Sequence, residues 1–286
     1  MAKAAATPIQ ESDLPEIGRF LHENLNRRFT AQAWISSLTH PWCESRPNFG
    51  MQLRDGTQLV GVLCATYSDQ HIGGRTEKFC NPHSWCVLDS HRNEGISLVL
   101  AMIRQRGYHF TMLTPNPNVA QIFRHLKFKD LATGIVVFAN RPALGALLPG
   151  RIIESDLARI PALCSAEVRR DFELHRDIPW LRFLAFGVPG DICLVIYKTM
   201  VWKRLPSARI LHISDPDAFM RHRALLQHRL LLRDRLVFSY VESRFLRSLP
   251  RFAWHETRTQ GKLFSSPTLQ DAQIREIYTE LMSLDV

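Results

Sequence analysis

Apolar residues recur at helical spacing twice, in the same rhythm. Leu14, Ile17, Leu21 and Leu25 form one stripe; Leu157, Ile160, Cys164 and Val168 form another with identical intervals. Each stripe predicts one buried helix face. Each follows the same Glu-Ser-Asp-Leu, at Glu11 and again at Glu154, half the chain apart. Ser-Asp is a good helix start, because a short side-chain oxygen accepts from the free N–H groups of the first turn. Residues 8–11 and 151–154, just before these starts, predict short strands. In the first copy Asp13 and Glu16 stand three apart like a capping box, and Pro15 sits in the first turn, where proline is tolerated.

Strand, cap and stripe agree in both places, which predicts a duplicated domain; solenoid repeats are far shorter. The stretch ANRPALGALLPGR carries Pro and Gly punctuation between the copies. The expected domains are therefore 1–140 and 150–286.

The first half continues with a strand over 84–88, a tight loop, and a helix with the stripe Leu98, Val99, Met102 and Ile103. Gly107 ends that helix, and 110–113 reads as the next strand. A loop that opens a helix offers backbone N–H groups at the positive end of the helix dipole, which suits phosphate. Gly95 and Ser97 are small enough to let a phosphate approach the backbone.

The 286 residues are 45% hydrophobic and 22% charged, a globular composition that allows a core in each half. The opening MAKAAATPIQ has no apolar run and predicts no secretory leader, and no stretch is apolar for long enough to span a bilayer. Six scattered cysteines are not a disulfide framework, so the expected location is a reducing cytoplasm. The net charge of +9 favours anionic partners without choosing among them.

Three features together resemble the GNAT N-acyltransferase superfamily: the opening strand with Ser-Asp-Leu-Pro, the loop Arg92-x-x-Gly95-x-Ser97, and NPNVAQIFRHLKF from Asn116 to Phe128. The resemblance covers about residues 6–140. It implies an α/β (α+β) fold with two GNAT-like domains, each a mixed, mostly antiparallel sheet with helices on both faces. It also implies an acyltransferase that uses acetyl-CoA or another acyl-CoA. The pyrophosphate would rest on Arg92, Asn93, Glu94, Gly95, Ile96 and Ser97, and the pantetheine would pair beside Val87 and Leu88. Asn116 and Phe123 would line the cofactor. An amine, or a hydroxyl, would attack the thioester directly.

The chain departs from the family pattern at three positions. Ser97 stands where Gly or Ala is usual, and Lys127 replaces the usual Gly. Phe123 occupies the place where many members keep a Tyr that protonates the departing thiolate. Without that Tyr, the first copy either catalyses without the acid or only binds acyl-CoA or a partner. His83 and Glu77 are the candidate bases, His83 because imidazole takes a proton near neutral pH.

Cys80-x-x-His83-x-x-Cys86 has metal-like spacing, but it lacks a fourth ligand and alternation is expected to set Cys86 apart, so no metal is expected. The second copy predicts strands over 192–197, 209–214 and 237–241 and a helix after Asp215-Pro216. Its SDPDAFMRH has no glycine where the first copy has its loop, so this copy is read as degenerate. Arg221, His228 and Arg235 share a helix face by spacing, but no aromatics interleave them as a nucleic-acid groove would want. Tyr278, near the end, matches the family Tyr by its spacing to Leu281.

Overall fold

The computed structural model describes residues 5–250, 252–257 and 261–285. In chain order the first half forms β1 (Ala5–Pro8), α1 (Leu14–Asn24), α2 (Ala31–Leu38), β2 (Gly50–Asp55), β3 (Gln58–Ile72) and β4 (Arg75–Val87). It continues with α3 (Ile96–Ile103), β5 (His109–Met112), α4 (Pro117–His125), β6 (Lys129–Asp130) and β7 (Gly134–Ala139). The second half forms β8 (Ile152–Glu154), α5 (Ile160–Leu163), α6 (Ala166–Glu173), β9 (Arg182–Val188) and β10 (Asp191–Trp202). It ends with β11 (Leu205–Ile213), α7 (Pro216–Leu232), β12 (Phe238–Glu242), β13 (Ala253–Thr257), β14 (Leu263–Ser265) and α8 (Glu280–Ser283).

These strands build two seven-stranded sheets with matching order. One runs β1-β2-β3-β4-β5-β14-β6, and the other runs β8-β9-β10-β11-β12-β7-β13. Position by position the second repeats the first, with one exchange. The strand next to last in each sheet comes from the other half of the chain. In both sheets the fourth and fifth strands are parallel and the remaining pairs antiparallel.

The compact units therefore do not follow the expected division into 1–140 and 150–286. One holds the described residues of Met1–Leu131 and Gln260–Val286; the other holds those of Ala132–Thr259. The exchange has a chemical basis. A sheet edge left open exposes unpaired N–H and C=O groups, and β14 fills the place between β5 and β6.

In the first unit α3 and α4 cover one face of the sheet, and α1 and α2 cover the other. Leu98, Val99 and Met102 of α3 are fully buried, each worth roughly 1.5–3 kcal/mol by the area removed from water. Leu14, Ile17 and Leu21 are buried as their stripe predicts, while Leu25 falls at the end of α1 and is 41% exposed. The N-terminal box differs from expectation. Gln10 and Asp13 form it, with the Gln10 N–H donating to Asp13 at 2.8 Å, while Glu16 turns to Arg54.

The second unit sets α7 on one sheet face through Phe219 and Phe186, and α6 on the other through Phe172 and Phe183. Its opening stripe does not form one helix. Cys164 is extended, and Ser165 caps a new helix by accepting from the Val168 N–H at 3.4 Å. Of that stripe Ile160 is fully buried, whereas Leu157 is exposed.

Candidate active site

The site grows from a sheet that opens. β5 runs parallel to β4 and, among the described residues, pairs with it only at Phe79–His109 and Cys80–Phe110. Beyond those pairs the two strands part. Asn81 bridges the start of the gap, its Nδ2 donating to the Thr111 carbonyl at 3.0 Å.

A bulge lies farther along β4. Val62 pairs with Cys86 and Cys64 with His83, so Ser84 and Trp85 share the place opposite Leu63. Ser84 holds φ +53°, a left-handed conformation that costs a non-glycine residue on the order of 1 kcal/mol. The extra residue switches the alternation of side chains. Cys80 before it and Trp85 and Val87 after it face α3 and α4. Cys86 faces α1 and α2, and His83 shares that face through its pairing with Cys64. The metal-like triplet is thus split with Cys80 alone on one side; the expectation that Cys86 would be set apart is corrected. Among the described residues no group of three or more His, Cys, Asp or Glu could hold a metal ion.

After β4 the chain turns through a 3-10 helix, Asp89–Glu94, into Gly95 and α3. Gly95 is glycine for space, since its backbone is ordinary right-handed helix at φ −57°. A Cβ there would lie 3.1 Å from a Val87 methyl and 3.3 Å from the Arg92 carbonyl. The Val87 side chain is thereby packed close against the turn at Gly95, and a helix start offers N–H groups to an anion.

Side chains of this turn are partly committed to one another. Arg92 pairs with Asp89 at 2.5 Å, but both are exposed, so little is lost if Arg92 turns to a stronger anion. Ser97 donates to the Glu94 carbonyl at 2.6 Å, leaving its lone pairs to accept rather than its proton to give. Asn93 and Ile96 are exposed. The Leu88 N–H pairs back to the Val60 carbonyl at 2.9 Å. Trp85 Nε1, buried below this turn, has no hydrogen-bond acceptor. A donor orphaned beside a helix start suits a site that takes a polar ligand.

Asn116 caps α4 by accepting from the Val119 N–H at 2.9 Å. Phe123 is fully buried and packs edge-on against Phe128, ring centroids 4.9 Å apart, so its ring is part of the core beneath α4. Lys127 sits at φ +68° where the helix ends, a left-handed position glycine occupies without strain.

The two candidate bases are not brought together. Glu77 pairs with His109 Nε2 at 3.0 Å, and His109 Nδ1 lies 2.8 Å from Ser266 Oγ. At about 3.3 Å per residue, Glu77 is roughly 20 Å along β4 from His83. His83 is buried between two hydroxyls, Thr66 Oγ1 at 3.0 Å and Ser84 Oγ at 2.9 Å. Burial pushes its pKa down to about 4, so the ring is neutral near pH 7.

Three further residues carry no motif and escaped the sequence reading: Asn81, Thr114 and Glu280. The Glu280 backbone N–H donates to Asn81 Oδ1 at 3.2 Å, and Thr114 Oγ1 donates to Glu280 Oε1 at 2.8 Å. Glu280 Oε2 is buried without a hydrogen-bond partner, as are Gln70 Oε1 and Ser283 Oγ. Thr66, Asn81 and His83 add to a buried polar strip on the α1/α2 face of β3 and β4. Tyr278 belongs to this first unit too, packed edge-on against Trp42 at 5.8 Å.

The second unit treats its equivalent helix start differently. Asp215 accepts from the Asp217 N–H at 2.8 Å and the Ala218 N–H at 3.0 Å, so a carboxylate of the chain itself already sits on the positive end of α7. Farther along α7, Arg221 and His222 both bind Asp191 and hold its carboxyl down at about 2. His228 accepts from the Ala143 N–H at 3.2 Å, and Arg235 lies past the end of α7. Arg221, His228 and Arg235 therefore do not make the shared face their spacing suggests.

No family model matches the chain, and no curated protein matches it by sequence. Solved structures do. A GCN5-related N-acetyltransferase from Anabaena variabilis superposes with a TM-score of 0.62 at 10% identity, covering 91% of this chain and 72% of that one. A GCN5-related N-acetyltransferase from Kribbella flavida gives 0.55 at 15% identity, over 91% and 70%. Eis1 from Mycobacterium abscessus gives 0.51 at 15% identity, over 91% and 72%. The opened sheet, the β4 bulge and the turn into α3 belong to a chain that shares the fold of these GCN5-related N-acetyltransferases, with two sheets of matching strand order.

Proposed function

We propose that the chain is an acyl-CoA-dependent acyltransferase and that its first unit carries the reaction. The single observation behind this reading is the gap between β4 and β5, with the Ser84 bulge and the Gly95 turn on one side of it. Residues 92–97 would take the pyrophosphate on the backbone N–H groups that open α3, and the free edge of β4 near Val87 and Leu88 would take the pantetheine. The acceptor would enter over the polar strip on the α1/α2 face. Its amine nitrogen attacks the thioester carbonyl carbon, the C–S bond breaks, and the sulfur leaves with the electron pair.

The second unit supports the first. With Asp215 on the start of α7, a phosphate would have to displace a covalently tethered anion. Among the described residues no helix is long and apolar enough to cross a membrane, and all six cysteines are free, which suits a reducing compartment such as the cytoplasm.

One observation favours a second reading, a non-catalytic acyl-CoA-binding or docking module. Phe123, sealed in the core, offers no proton to a leaving thiolate. Thiol release from acetyl-CoA and longer acyl-CoAs, followed against a panel of primary amines, separates the two. Amine-dependent release supports transfer; binding without release supports the module.

A further inference from the structure

We propose that Glu280, brought into the first unit by the returning C-terminal segment, is the group that takes the proton from the acceptor amine. This rests on the acyltransferase reading and names a residue for it. Glu280 is placed by both sides of the gap. Its backbone is held by Asn81, the first residue of β4 beyond the last β5 pair, and its Oε1 by Thr114, two residues past the end of β5. Its Oε2 is buried and makes no hydrogen bond.

A purely structural carboxyl in such a place would be paired, because a buried oxygen without a partner is costly. The nearby Lys262 Nζ binds Glu276 Oε2 at 2.5 Å, and both are buried. Burial raises the Glu280 pKa to about 7; the Thr114 hydrogen bond and Lys262 pull it down, and Glu276 pushes it up. His83 shares the β4 face, two positions beyond Asn81, and stays neutral. A carboxyl poised near neutrality is matched to taking a proton at physiological pH.

The step balances. As the amine nitrogen bonds to the acyl carbon it becomes cationic, and its proton passes to Glu280 Oε2. The C–S bond breaks, and the thiolate takes a proton as it departs, which restores the carboxylate.

The test uses the full chain, acetyl-CoA, aniline as an acceptor that stays neutral across the pH range, and Glu280→Gln. Calorimetry of acetyl-CoA is run beside thiol release. Unchanged acetyl-CoA affinity with release slowed about 100-fold is the expected result. The wild-type rate should rise with pH to a plateau above about 7, the carboxylate being the active form, and that inflection should vanish in Glu280→Gln. Thr114→Val, which removes a donor to the carboxylate, should keep the inflection and move it upward. A wild type no faster than Glu280→Gln, or a pH profile the substitution leaves in place, overturns the proposal. Failure of the wild type to bind acetyl-CoA overturns the acyltransferase reading instead.

Discussion

Thr114 Oγ1 donates to Glu280 Oε1 over 2.8 Å, although 166 positions separate the two residues in the chain. That bond exists because β14 returns the end of the chain to the first sheet. It makes the first unit depend on residues that a simple halving of the sequence assigns to the second.

A fragment ending near residue 140 should therefore fail to fold alone. It lacks β14, so β5 and β6 lose their common partner, and it lacks Leu263, which is fully buried. Rapid limited proteolysis of residues 1–140, against resistance of the full chain, is the expected outcome. In the full chain Leu263→Ala should cost about 2–5 kcal/mol in urea unfolding.

Two buried groups on one sheet face should oppose each other in their pH dependence. Glu280, raised from 4.5 to about 7, binds its proton more tightly when folded, so its share of stability is lost as pH rises through that window. His83, lowered from 6.5 to about 4, binds its proton less tightly when folded, so its share is lost as pH falls through that window. Each is worth up to about 3 kcal/mol. Between pH 4.5 and 6.5 the two slopes offset. Urea unfolding across pH should show Glu280→Gln losing more stability toward acid than wild type, and His83→Gln losing more toward alkali. Parallel curves for all three proteins would refute both assignments.

Lys127 holds a left-handed conformation at the end of α4. Lys127→Gly removes that strain and should raise stability by about 1 kcal/mol, read as a higher urea midpoint. Lys127→Val should lower it, since a β-branched residue tolerates positive φ poorly.

Asp215→Ala should cost about 1 kcal/mol by uncapping α7, and Asp215→Asn, which can still accept from the same N–H groups, should cost less. Urea unfolding distinguishes them.

What could be read from the sequence was local. The α3 stripe and the helix start after Asp13 are set by residues within a few turns of each other, and both formed. Gly95 was read as small so that a phosphate could approach the backbone; what the sequence hid is that the Val87 methyl and the Arg92 carbonyl beside it crowd a Cβ there. The second-copy stripe misled because Ser165 offers a better cap than continuation through Cys164. Ser84 bears no mark of the bulge it forms, being neither Gly nor Asn. Phe123 sat at a family position but is oriented by Phe128 into the core. The strand exchange and Glu280 were hidden altogether, because pairing across such a span leaves no periodicity in either partner.

Calorimetric titration of acetyl-CoA into the wild type and into Gly95→Trp tests the placement of the acyl-CoA site most directly. The indole would enter space where even a Cβ lies 3.1 Å from Val87, so equal thermal melting of the two proteins is checked first. Saturable one-to-one heat in the wild type, abolished in a folded variant, is the expected result. Equal heat in both proteins, or none in the wild type with any acyl-CoA, would contradict an acyl-CoA site in the first unit.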